Sequence, residues 1–182
     1  MIDSKRASET LAEIDDVTQR VRQSQIYELA GLAAIWWGVL VFAGNVATWL
    51  WPGYGYYIWI AADLAGLIGM FAIDFHKSRA GGNTFGVRIF IAFVLIYAFG
   101  IFCVEILGHF TPREQGAFWS IYFMLFYMIA GLWFGRTLVA IGLGISVFTL
   151  IGFFYIGEAF PLWMAFVNGG GLILGGLWML RA

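Results

Sequence analysis

Six long apolar runs follow one another along the chain, separated by short breaks. A helix needs about 20 mainly apolar residues to cross roughly 30 Å of hydrocarbon. The runs are continuously apolar, and each is too long for a strand of a membrane barrel. The pattern therefore predicts an all-α integral membrane protein with six transmembrane helices. The predicted spans cover residues 29–51, 57–75, 87–108, 112–134, 137–156 and 161–180.

The breaks between the spans contain residues that end or begin helices. Pro52 and Gly53 end the first span. The segment from Thr111 to Glu114 predicts a capping box, with Thr111 as N-cap and Pro112 at the first helical position. Pro161 begins the sixth span in the same way.

The basic residues predict the orientation, because cytoplasmic loops carry an excess of Lys and Arg. In a six-span topology only Arg113, of the ten basic residues, falls on the side opposite both termini. We therefore expect both termini to be cytoplasmic, in a cell membrane that is the inner membrane if the source is a Gram-negative bacterium. The nine basic residues on the terminal side are Lys5, Arg6, Arg20, Arg22, Lys77, Arg79, Arg88, Arg136 and Arg181.

Residues 1–28 precede the first span and form a separate predicted unit, while residues 29–182 form the membrane domain. Apolar residues recur at helical spacing among charged ones, and acidic residues precede basic ones, the order that a helix dipole favours. We expect a short amphipathic cytoplasmic helix. This helix feeds directly into the first span, and its apolar edge contacts the protein's own loops or a second copy; the alternative is a docking helix for another protein. The apolar edge consists of Leu11, Ile14, Val17 and Val21.

Composition and charge exclude several functional classes. Hydrophobic residues make up 62% of the chain and charged residues 12%, against about a quarter charged in soluble domains. A net charge of −1 gives no basic field for nucleic acid. The single Cys103 excludes an intramolecular disulfide and the multi-cysteine zinc patterns. We expect no cofactor, no metal site and no catalytic residues.

The first and last predicted hairpins resemble each other in sequence. Residues 35–42 match residues 141–148 at four positions, and residues 59–68 match residues 163–173 with one insertion, which places Asp63 opposite Asn168. These matches predict three αα-hairpins in one orientation, related by an axis along the membrane normal.

Polar residues of several spans fall at a similar depth. At 1.5 Å per residue they lie roughly 9 to 14 Å below the outer edge. Two explanations stay open. In the structural one, Asn45 donates to Asp63, Thr149 bonds Asn168, and the layer fixes helix register; in the functional one it lines a path for an ion, a proton or a solute. The layer consists of Asn45, Asp63, Glu105, Ser120, Thr149 and Asn168.

Asp63 is the most demanding member of this layer. An aspartate at a helix centre costs about 2.5–3.5 kcal/mol on the insertion scale, and one interhelical hydrogen bond does not clearly offset that cost. Glu105 and His109 lie four residues apart and are expected to share one helix face. The pair is either an interfacial contact or, with Asp63 or Glu158, part of a proton relay or metal site.

Glycine and alanine recur every three or four residues in several spans, as in Ala34 with Gly38 and Gly171 with Gly175. Such faces let helix backbones approach closely, within a chain or between subunits. We expect a non-enzymatic accessory, regulatory or scaffold protein that binds partners or copies of itself through these faces and its N-terminal helix. The alternative is a small-solute or ion transporter or channel, proton-linked through Asp63. A membrane enzyme is the least supported class.

Overall fold

A computed structural model of the chain describes residues 4–79 and 87–181, and in these residues every regular element is helical. The third helix continues into a π-helical segment, Phe102–Gly108, and the sixth contains another, Ala165–Gly170. The helices are α1 (Ser4–Leu50), α2 (Gly55–Arg79), α3 (Val87–Ile101), α4 (Pro112–Phe134), α5 (Arg136–Tyr155) and α6 (Phe160–Met179).

Within the described residues, six helices are long and apolar enough to cross a membrane, which confirms the prediction of six apolar helical spans. The qualifying segments are Tyr27–Leu50, Pro52–His76, Phe90–Gly108, Pro112–Phe134, Arg136–Tyr155 and Phe160–Met179.

The first helix contains both the predicted amphipathic segment and the first span. α1 runs for 47 residues without a break, so the amphipathic segment and the first span are one helix. The segment from Ser4 to Leu50 contains no proline, and at 1.5 Å per residue it measures about 70 Å. Of the apolar edge predicted before the span, only the Ile14 side chain belongs to the described part, and it is 54% exposed.

The helix ends follow the turn residues. The Thr111 side chain accepts from the Glu114 backbone N–H, and the Glu114 carboxylate accepts from the Thr111 backbone N–H at 2.7 Å, which confirms the capping box. Between α4 and α5 there is one non-helical residue, Gly135, with φ 137° and ψ 155°. Residues that carry a side chain rarely adopt this backbone conformation, so the join requires glycine.

The six helices form a closed ring in sequence order. α1 packs against α2 and α6, and α5 packs against α4 and α6, whereas α3 contacts α2 and α4 through side chains. Aromatic side chains join α3 to its neighbours: the Phe90 ring lies 5.5 Å from the Phe71 ring of α2, and the Tyr97 ring lies 5.2 Å from the Trp119 ring of α4. The closest helix pairs are α4 with α5 and α1 with α6. These pairs join different predicted hairpins, so a hairpin is not the unit of packing.

Glycines set the close contact between α1 and α6. A Cβ atom on Gly169 would lie 2.6 Å from the backbone N of Phe42, and one on Gly176 would lie 2.6 Å from the carbonyl oxygen of Gly31. On the other side of α6, a Cβ on Gly175 would lie 2.7 Å from the Ile141 side chain of α5. The small-residue faces of α1 and α6 thus contact helices of the same chain.

The apolar core lies between four of the six helices. Its buried cluster comes from α1, α4, α5 and α6 and consists of Tyr27, Ala34, Met124, Leu138, Ile141, Ile145, Leu172 and Met179. In their apolar stretches, only 6% of the residues of α2 and 11% of those of α3 are buried, against 39% for α5 and for α6. α2 and α3 are therefore the most exposed helices of the ring.

Candidate functional site around Asp63

Asp63 lies in α2, is half-buried, and accepts a hydrogen bond from the Tyr97 hydroxyl of α3. The expected bond from Asn45 is not formed. The Asn45 amide instead donates to the Val41 carbonyl of its own helix at 2.9 Å. A carbonyl one turn back is within reach of a short amide side chain, whereas the long tyrosine side chain bridges from α3 to α2.

Four stacked aromatic rings, which we call the aromatic wall, extend from the partner of Asp63. The Tyr97 ring stacks on Trp119 at 5.2 Å and on Phe93 at 6.2 Å between centroids. The Trp119 and Phe93 rings in turn both stack on the Phe123 ring. The distance between centroids is 5.7 Å for Trp119 and 6.4 Å for Phe93. The wall joins α3 to α4 and presents its tyrosine hydroxyl to the carboxylate.

A glycine brings the Trp37 side chain of α1 close to the face of α2 that carries Asp63. Residues three apart lie on the same face of a helix, so Gly66 lies one turn from Asp63 on that face. A Cβ on Gly66 would lie 2.3 Å from the Trp37 ring. The Trp37 ring in turn lies 6.3 Å from the Phe93 ring of the wall. The surroundings of Asp63 therefore include side chains of α1, α3 and α4.

The remaining polar residues do not join Asp63. Thr149 was expected to bond Asn168, but its hydroxyl lies 3.0 Å from the Ser120 hydroxyl of α4, where both residues are buried. The Asn168 Oδ1 atom is buried without a hydrogen-bond partner, as is the Ser146 hydroxyl. The close packing of α4 on α5 explains the Ser120–Thr149 pair, and the π-helical turn around Asn168 changes the direction of its side chain from that of a regular helix.

Glu105 and His109 are both exposed at the end of the third span. Glu105 lies in the π-helical segment, and His109 follows that segment with a left-handed φ of 48°. The two residues therefore do not share the face of a regular α-helix, as the spacing of four predicted. In residues 4–79 and 87–181, no three His, Cys, Asp or Glu residues lie close enough together to hold a metal ion.

Arg113 has a structural role that sequence reasoning missed. Its guanidinium donates to carbonyl oxygens at the C-terminal end of α5, including Gly157 at 3.1 Å, Phe153 and Ile156. It also lies 5.0 Å from the centre of the Phe160 ring. A cation at a helix C-terminus is favoured by the free carbonyls and the helix dipole. The one signal in the sequence was its isolation from the other nine basic residues.

The site combines one carboxylate, one phenol hydroxyl and a wall of aromatic rings. Comparisons with protein-family models, curated proteins and solved structures give no match. The chemistry of the site therefore follows from its own residues. Since Tyr97 is a neutral donor, its hydrogen bond does not neutralise the charge of an ionised carboxylate.

Proposed function

We propose that this protein is a non-enzymatic accessory or scaffold protein of a cell membrane, with six membrane spans and both termini in the cytoplasm. The observation that carries the proposal is the unbroken α1 helix, Ser4–Leu50. It connects the segment before the membrane directly to a span that packs on α2 and α6. A partner bound to the first half of α1 would be held in a fixed relation to the ring.

The partner surface is the N-terminal half of α1. The glycine faces of α1 and α6 already contact each other, so a partner does not need them. An amphipathic helix with mixed charges suits the groove or helix of another protein. The acidic residues at its start, Glu9, Glu13, Asp15 and Asp16, disfavour an anionic lipid surface.

The test separates the presence of this segment from its rigid connection. Deleting residues 1–26 should remove the proteins that co-purify with the full chain after cross-linking in cells. Ser24→Pro should reduce them as well, because proline inside a helix costs about 3 kcal/mol and breaks the helix. Ser24 is exposed, so Ser24→Ala is the matched control and should leave recovery unchanged. Unchanged partner recovery with the deletion variant would refute the proposal.

A second candidate function, an ion or small-solute transporter linked to protons, is favoured by the hydrogen bond of Asp63 with a neutral phenol. Ionisable residues inside spans commonly mark ion and proton pathways. The exposed position of α2 and α3 in the ring places this carboxylate outside the glycine-packed helices.

Proton flux into proteoliposomes, driven by a valinomycin potential and followed with a pH-sensitive dye, tests the second candidate. Asp63→Asn should abolish the flux, because the amide cannot bind and release a proton, while Asp63→Glu should retain part of it. Glu105→Gln is the control, since Glu105 is exposed, and should conduct normally. Normal flux in Asp63→Asn, or failure of that variant to assemble, would remove Asp63 from the transport path.

A further inference from the structure

We propose that Asp63 is the anionic centre of a binding site for a lipophilic organic cation, of the quaternary ammonium or phosphonium class, with the aromatic wall as its apolar side. The proposal rests on the second candidate function and names its substrate class. It is based on the contact of the Asp63 carboxylate with Tyr97, whose ring stacks on Trp119 and on Phe93.

The chemistry of the surroundings selects an organic cation over a metal ion. Hard metal cations such as Ca²⁺ take about six to eight oxygen ligands. Beside the Asp63 carboxylate, the described contacts provide one hydroxyl, that of Tyr97. The other members of the wall are aromatic side chains, which attract cations with little hydration. A carboxylate with several aromatic rings matches a cation that is itself covered by carbon.

The position of the site in the ring favours a ligand that arrives through the bilayer. α2 and α3 are the most exposed helices of the ring. Leu64, next to Asp63, is 56% exposed, and Leu95, two residues before Tyr97, is 65% exposed. A lipophilic cation dissolves in this region of the bilayer, whereas a strongly hydrated ion does not.

The Tyr97 hydroxyl donates a hydrogen bond to the Asp63 carboxylate in this structure. An incoming cation therefore takes the place of that hydroxyl. The ring of Tyr97 remains part of the wall, and only its hydroxyl competes with the ligand. Removal of that hydroxyl should therefore leave binding intact or strengthen it. A purely structural role of the pair leads to the opposite expectation, since losing either partner would then be equally harmful.

The experiment measures binding of tritiated tetraphenylphosphonium to the purified full-length protein in detergent micelles. The wild-type protein should bind it saturably, and Asp63→Asn should weaken binding by about tenfold or more, which is about 1.4 kcal/mol. Tyr97→Phe should bind as tightly as wild type or tighter. Asp63→Glu should retain binding, and Glu105→Gln should match wild type. Size-exclusion profiles and unfolding temperatures identify any variant that is misfolded.

Three results would overturn the proposal: absence of saturable binding to the wild type, equal affinity of Asp63→Asn and wild type, or equal losses in Asp63→Asn and Tyr97→Phe. If Asp63→Asn does not fold, the comparison of Asp63→Glu and Tyr97→Phe with wild type still decides the outcome. Binding in micelles requires no transport. Asp63-dependent proton flux without tetraphenylphosphonium binding would refute this inference alone, and binding without flux would refute only the transport function.

Discussion

Replacing Gly169 with alanine should lower the free energy of unfolding by about 2–3 kcal/mol, the upper range for adding a methyl group to a filled contact. The added Cβ would lie 2.6 Å from both the backbone N and the Cα of Phe42. Backbone atoms in a helix cannot rotate away as a side chain can. The α1 and α6 helices would have to separate, and the contacts along their whole interface would weaken.

The neighbouring glycine provides a matched control. Gly170 lies in the same π-helical segment, but a Cβ built on it meets no atom within 4 Å. Gly170→Ala should therefore be neutral or should stabilise by up to about 1 kcal/mol, because alanine loses less backbone freedom on folding. Thermal unfolding of both variants in the same detergent gives the comparison. Equal unfolding temperatures for the two variants would show that the α1–α6 contact adjusts easily.

Replacing Arg113 with alanine should lower the free energy of unfolding by about 2 kcal/mol or more, since a hydrogen bond to a charged group contributes about 1.5–3 kcal/mol. The substitution leaves carbonyl oxygens of Gly152, Phe153, Ile156 and Gly157 without this donor. Water at the membrane edge can donate to some of these carbonyl oxygens and so offsets part of the lost free energy. Arg113→Lys should recover only part of the stability, because an ammonium group does not present the planar fork of a guanidinium.

The control is Arg136, which is exposed at the start of α5. Arg136→Ala should change stability by no more than about 0.5 kcal/mol, as exposed substitutions usually do. Proteolysis between α5 and α6 gives an independent measurement: cleavage after Tyr155 should become faster in Arg113→Ala and not in Arg136→Ala. If Arg113→Ala unfolds at the wild-type temperature, the carbonyls of α5 are satisfied without the guanidinium.

The spans and the capping box could be predicted from the sequence because local properties determine them. A continuous apolar run requires a helix in hydrocarbon, since each backbone polar group needs an internal partner. The Thr111–Glu114 box depends on residues three positions apart. The continuity of α1 could be predicted as well, because no proline interrupts the chain between the polar segment and the apolar run.

The hydrogen-bond partner of Asp63 could not be predicted, because the position of a side chain depends on its direction around the helix as well as on its depth. Counting residues placed Asn45 at the depth of Asp63, but it gave no information about the direction in which each side chain points. Tyr97, which lies 34 residues from Asp63, was one of many aromatic residues in the spans. The Ser120–Thr149 pair was missed for the same reason, since the depth of Thr149 did not show that its side chain points toward α4.

The single-residue join at Gly135 has a consequence for how the chain enters the membrane. One residue spans at most about 3.6 Å, so α5 begins where α4 ends. We therefore expect that α4 does not reach its final position while α5 is still held in the translocon. The two helices are expected to leave the translocon together as a preformed unit, and a longer linker at Gly135 should uncouple their insertion.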